Sequence, residues 1–281
     1  MANRNIIKTV KGIHTQDGAG VNLVRVISNR DVEDFDPFLM LDAFDSDNPA
    51  DYIKGFPWHP HRGIETLTYL IEGDIEHSDS MGNKGSICDG GCQWMTAGSG
   101  VLHQEMPQAC ERMLGFQLWI NLPRAHKMTT PKYFDITSDI TTTIEKEHAT
   151  IRIIGGDFEG THGQAQGEYV KADVLDISVD AGQTLSFETD IEKNVFVYLF
   201  EGSACFGGNK DTLIPAKTAA LFSHDSGFSV RAGETGVRFA FFAGKPLQEP
   251  VAWGGPIVMN TPEELDAAFD ELNEGTFIKQ S

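Results

Sequence analysis

A chain of 281 residues is long enough for two domains of ordinary size, each with a core of its own. Its 22 Lys and Arg against 41 Asp and Glu leave a formal charge of −19, which repels phosphate backbones and anionic bilayers and so argues against nucleic-acid and membrane partners. The four cysteines, Cys88, Cys92, Cys110 and Cys205, form no Cys-x-x-Cys pair, which argues against a disulfide framework or a thiolate zinc site.

The first residues, Met1-Ala2-Asn3-Arg4-Asn5-Ile6-Ile7-Lys8, lack the basic, apolar and small-residue layout of a secretory leader, and no apolar run reaches membrane-spanning length, so a cytoplasmic protein is expected. Beyond them, 29 Gly and 12 Pro punctuate short runs rich in β-branched and aromatic residues, the pattern of a turn-rich β protein. The first run with chemistry in it is Trp58-His59-Pro60-His61-Arg62-Gly63. Residues two apart in a strand share a face and lie about 7 Å apart, so both imidazoles can lean toward one ion. Glu65-Thr66-Leu67-Thr68-Tyr69-Leu70-Ile71 then reads as a strand, followed by turns at Glu72-Gly73-Asp74, Met81-Gly82-Asn83 and Asp89-Gly90-Gly91.

After the glycine turn Ala97-Gly98-Ser99-Gly100, His103-Gln104-Glu105 repeats the two-residue parity with an imidazole and a carboxylate. Facing the first pair across a barrel, it would complete a set of three neutral nitrogens and one anionic oxygen from His59, His61, His103 and Glu105. His14, His77, His126, His148, His162 and His224 have no partner at such a spacing. Phe56, Trp58, Trp94 and Met95 lie near these motifs and are candidates for an aromatic-accepting pocket, with core packing as the alternative for each.

Tyr69-Leu70-Ile71-Glu72-Gly73 recurs as Tyr198-Leu199-Phe200-Glu201-Gly202, and each copy proceeds to a closing apolar strand, Leu114 to Ile120 and Val237 to Phe242. A duplicated β-barrel unit follows, divided near the polar stretch Ser138 to Glu147 into residues 1–137 and 138–281. Aligning Tyr198 with Tyr69 puts Glu188 and Asp190 where His59 and His61 stand, so the second unit is expected to bind no metal. Near the end, Thr261 can cap a helix that opens with Pro262, Glu263 and Glu264. Leu265, Phe269 and Leu272 recur at helical spacing, and Gly275 can stop the last turn.

These motifs resemble the pirin family of the cupin superfamily. Gly55 through His59-x-His61 and Glu65 to Gly73 is similar to the first cupin motif, and Gly91 through Gly98 to His103 to the second. Asp36-Pro37-Phe38-Leu39-Met40-Leu41-Asp42, Gln93-Trp94-Met95-Thr96-Ala97-Gly98, His103-x-Glu105-Met106-Pro107 and Gly255-Pro256-Ile257-Val258-Met259-Asn260-Thr261 are more specifically pirin-like. The resemblance implies an all-β bicupin, two antiparallel jelly-roll barrels with a short C-terminal helix. It implies one divalent transition metal, Fe(II) first and Mn, Co, Ni, Cu or Zn as alternatives, on His59, His61, His103 and Glu105. A general cupin would take its carboxylate from Glu65; the pirin pattern prefers Glu105 and leaves Glu65 to orient a ligand imidazole. Two functions are then expected. One is flavonol ring cleavage of the quercetin 2,3-dioxygenase type, with Glu105 as catalytic base on a small aromatic substrate. The other is a metal- or redox-dependent regulator that binds a protein partner, for which the acidic surface suits a basic one.

Overall fold

In a computed structural model, which describes residues 2–208 and 212–279, the chain forms two β-rich units. The unit that carries the His-x-His motif comprises residues Ile13–Val32, Pro37–Asp139 and Leu247–Ser281. Its larger sheet is seven-stranded and antiparallel, in the order Lys132–Ile136, Cys92–Thr96, Ile64–Glu72, Met113–Asn121, Phe38–Ser46, Val21–Ile27, Ile13–Asp17. A four-stranded sheet runs Phe56–His61, Val101–Pro107, Ile75–Asp79, Lys84–Ile87. Side chains from the two sheets meet between them, yet among the described residues no strand of one ladder pairs with the other, so the expected barrel is an open jelly roll.

The second unit, Met1–Gly12, Glu33–Asp36 and Ile140–Pro246, holds a nine-stranded sheet built on two long strands, Asn194–Phe206 and Gly227–Gly244. Register shifts after Leu199 and Gly202 let the longer ladder bend, as bulges do. Its interior is apolar throughout, with Phe187, Phe206, Phe222, Phe228, Phe239 and Phe241 packed ring against ring. Leu185 and Phe187 point inward while Glu188, Asp190 and His224 are exposed.

Both units are discontinuous, unlike the continuous division at residue 137. Ile6–Lys11 pairs with Thr218–Phe222 and so belongs to the second unit. The last thirty or so residues belong to the first, because Val251, Trp253 and Val258 pack with Met40, Met95 and Trp119. A cut between β units in sequence order cannot show where terminal segments pair.

The C-terminal helix, Pro262–Glu274, has the caps its sequence announces. Thr261 accepts from the backbone N–H of Glu264, the Glu264 carboxylate accepts in return, and Gly275 closes the helix at φ 73°. Leu265, Phe269 and Leu272 cover Ile257, Met259 and Phe277. Among the described residues no helix is long and apolar enough to cross a membrane.

Candidate metal centre

Strand register brings the two halves of the motif together. The Phe56–His61 and Val101–Pro107 strands pair antiparallel with His103 directly opposite His59, and inward parity then places His61 beside both. The ring centroids lie 4.4 Å (His59 and His103), 4.8 Å (His59 and His61) and 4.9 Å (His61 and His103) apart. One nitrogen from each ring lies within 4.8 Å of the others, and among the described residues this is the cluster suited to an ion.

Backbone carbonyls fix the tautomers. A carbonyl can only accept, so His59 Nδ1–H donates to Pro57 O at 2.9 Å and His61 Nδ1–H to Pro256 O at 3.1 Å. Each ring is left with a lone pair on Nε2, and these two atoms face each other at 3.1 Å. Two lone pairs at that distance repel unless a cation lies between them. Two nitrogens on arms of about 2.1 Å at a right angle stand about 3.0 Å apart, so the spacing is that of neighbouring ligands of one first-row ion. His103 Nε2 is buried with no hydrogen-bond partner, a cost that coordination would remove.

Burial, reinforced by His59, pushes the His61 pKa down to about 3, against a small opposing effect of the Pro256 carbonyl. The same burial, with His61 and His59 adding to it, holds His103 well below its ordinary range. Both rings are neutral near pH 7, the form that binds metal. The donor set fits a divalent transition metal.

The carboxylates occupy separate places. Glu105 is buried and lines the same cavity, but stands outside the three-imidazole cluster. Its carboxylate accepts from Thr68 Oγ1 at 3.1 Å and from Gln117 Nε2 at 2.8 and 3.0 Å. The Trp119 indole N–H donates to Gln117 Oε1 at 3.2 Å, which turns the amide so that its NH2 faces Glu105. Glu65 accepts from Trp94 Nε1 at 3.2 Å and Thr96 Oγ1 at 2.7 Å.

His59 and His61 line a cavity of about 700 Å³ walled by Met40, Phe56, Trp58, Trp119 and Trp253. Of the aromatic-pocket candidates in the sequence, Phe56 and Trp58 line it, whereas Trp94 and Met95 are buried outside its lining. Trp119 meets the His61 ring edge-on at 5.0 Å and Trp253 at 5.8 Å.

Comparison with known proteins agrees with this architecture. Residues 20–120 match the family model described as Pirin, and residues 174–278 the model described as Pirin C-terminal cupin domain. A pirin-like protein of Caulobacter vibrioides is 41% identical over 280 residues, covering 99% of this chain and 100% of that one. The chain belongs to the pirin family. A crystal structure of quercetin 2,3-dioxygenase from Acinetobacter baumannii superposes with a TM-score of 0.88 at 32% identity, covering 98% of this chain and 99% of that one. A bacterial pirin from Escherichia coli in complex with nickel(II) shares the fold, with a TM-score of 0.66 at 19% identity over 85% of this chain and 98% of that one.

Sequence reasoning missed a polar row across the inner face of the large sheet. Arg25, Asp42, Gln117, Thr68, Gln93 and Asp135 are successive cross-strand partners, one from each of six strands. Glu105 reaches down to the middle of this row. At one end lies His77, which stands opposite Glu105 in its own sheet. Its Nε2 is 2.6 Å from the Tyr133 hydroxyl, which donates to Asp135 Oδ2 at 2.5 Å. At the other end Arg25 grips Asp42. Scattered over six strands, these residues share no spacing in the chain.

Proposed function

We propose that this protein is a metal-dependent dioxygenase acting on a flavonol or a closely related polyphenol. The observation that carries the reading is the convergence of three imidazoles, one with an unpartnered buried nitrogen, two of which line an aromatic-walled cavity. The family kinship with a described quercetin 2,3-dioxygenase supports it.

In this reading His59, His61 and His103 hold the ion, Fe(II) first, and Glu105 supplies the fourth donor. The bound metal would contribute Lewis acidity toward a phenolic oxygen and redox access to dioxygen. Glu105 also serves as the base, accepting the phenolic proton on Oε2, the carboxylate oxygen to which Thr68 does not donate. Gln117, oriented by Trp119, then steadies the carboxylate through its amide protons. Phe56, Trp119 and Trp253 hold planar rings and keep water from them. Among the described residues the second unit, with its apolar interior, offers no comparable donor set, and we assign that unit a supporting role.

The test is single-turnover chemistry. Quercetin added without oxygen to the iron-loaded protein, followed by oxygen, is expected to release carbon monoxide and a depside. Oxygen uptake no greater than that of metal-free protein would sink the assignment.

A further inference from the structure

The end of the polar row farthest from His77 holds an arginine with part of its donor set unspent. Arg25 Nε donates to Asp42 Oδ1 at 2.9 Å, and Nη2 to Asp42 Oδ2 and Asp17 Oδ2, both at 2.7 Å. This fork fixes the guanidinium plane. Among the described residues nothing hydrogen-bonds to Nη1, the side chain keeps 30% of its exposure, and Arg25, Asp42 and Asp17 all line the 700 Å³ cavity. A guanidinium already paired with two carboxylates presents directed N–H groups but no net positive charge. The local sum over Arg25, Asp42 and Asp17 is +1 − 2 = −1. Asp42 itself is buried, which raises its carboxyl pKa, with Arg25 opposing that rise.

The row also sets a length. Arg25 is the cross-strand partner of Asp42, and Asp42 of Gln117, the residue that holds Glu105. Two interstrand steps of about 4.8 Å put Arg25 about 10 Å from Gln117, the reach of a planar molecule of two or three rings. A single ring at the imidazoles would stop short.

We propose that Arg25 determines specificity: Nη1 donates to a carbonyl or hydroxyl oxygen at the distal end of an uncharged polycyclic phenol, while Asp17 and Asp42 repel ligands carrying a carboxylate there. This rests on the reading of the cavity as a polyphenol site and adds which polyphenols it takes.

Calorimetric titration of the nickel-loaded full chain tests it without turnover, using three probes: quercetin, catechol, and a flavonol bearing a carboxylate on its distal ring. Wild type is expected to bind quercetin about ten-fold more tightly than the carboxylate analogue, from one like-charge contact at partial exposure. Arg25→Lys keeps the charge but loses the fork, and is expected to weaken quercetin about ten-fold, the worth of one or two hydrogen bonds, with catechol affinity and bound nickel unchanged. Asp17→Asn leaves the Arg25–Asp42 fork intact and should narrow the gap between quercetin and its carboxylate analogue; it decides the matter if the lysine variant does not fold. Quercetin binding by Arg25→Lys equal to wild type, or a gap unmoved in Asp17→Asn, overturns the role of Arg25 and its partners while leaving the polyphenol site standing. Wild type that binds none of the three probes overturns both.

Discussion

The carbonyl of Pro256 accepts a hydrogen bond from His61 across 195 positions of sequence, at 3.1 Å, and so sets the tautomer of an imidazole in the three-histidine cluster. The segment that delivers it is held by two buried basic side chains. Arg62 donates from Nε to Ser99 O and from Nη2 to Phe277 O, both at 2.8 Å, pairs with Glu271 at 2.7 Å and lies over the Phe277 ring. Lys127 donates to Gly63 O, Asn121 Oδ1 and Val258 O. Gly63 permits this closeness, since a Cβ there would sit 1.9 Å from Val258 O.

Arg62→Ala is therefore expected to lower stability by about 2–3 kcal/mol through its lost buried hydrogen bonds, and to weaken metal binding about ten-fold by loosening Pro256. Chemical denaturation and a metal titration read the two effects. Full metal affinity in a destabilised variant would separate the clamp from the site.

Glu105→Gln and Glu65→Gln should part company. The first is expected to weaken metal binding by about ten- to a hundred-fold, as loss of an anionic donor or its support does. The second should keep its metal and lose about 1–3 kcal/mol of stability, because its amide has one acceptor oxygen where Trp94 and Thr96 now use two. Metal loss confined to the Glu65 variant would reverse the assignment.

Lys127 gives a pH signature. Burial brings its pKa down to about 7 from 10.5, with Glu249 and Glu264 opposing the fall. Between those values the unfolded chain binds the proton and the folded chain does not, so stability should rise with pH from about 7 toward 10, by up to about 1.4 kcal/mol per unit. Below about pH 7 both states carry the proton and this contribution is flat. Denaturation of wild type against Lys127→Met at pH 6, 8 and 9.5 checks it; a difference that stays constant contradicts the lowered pKa.

The parts of the fold that depend on neighbours in sequence were legible. Thr261, Pro262, Glu264 and Gly275 state a helix and its ends, and alternation within His59-Pro60-His61 and His103-Gln104-Glu105 states which side chains share a face. What required the structure depends on register between distant strands. The row from Arg25 to Asp135, the Trp119 and Trp253 walls and the Pro256 contact have no periodicity to betray them. The division at residue 137 met the same limit, since terminal segments exchange partners through pairing and packing that no local pattern encodes. Glu105 shows the boundary most clearly: parity places it on the inner face, whereas Gln117 and Thr68 decide where its carboxylate rests.

His103→Leu offers the most direct measurement of the metal centre itself. The imidazole is buried with an unpartnered Nε2, so an apolar side chain of similar size should leave the metal-free protein as stable as wild type or slightly more so. Equilibrium dialysis against Fe(II) without oxygen, followed by metal analysis, is expected to find one ion per chain in wild type and none in the variant. An ion retained by the variant, or none bound by the wild type, would contradict the three-histidine centre.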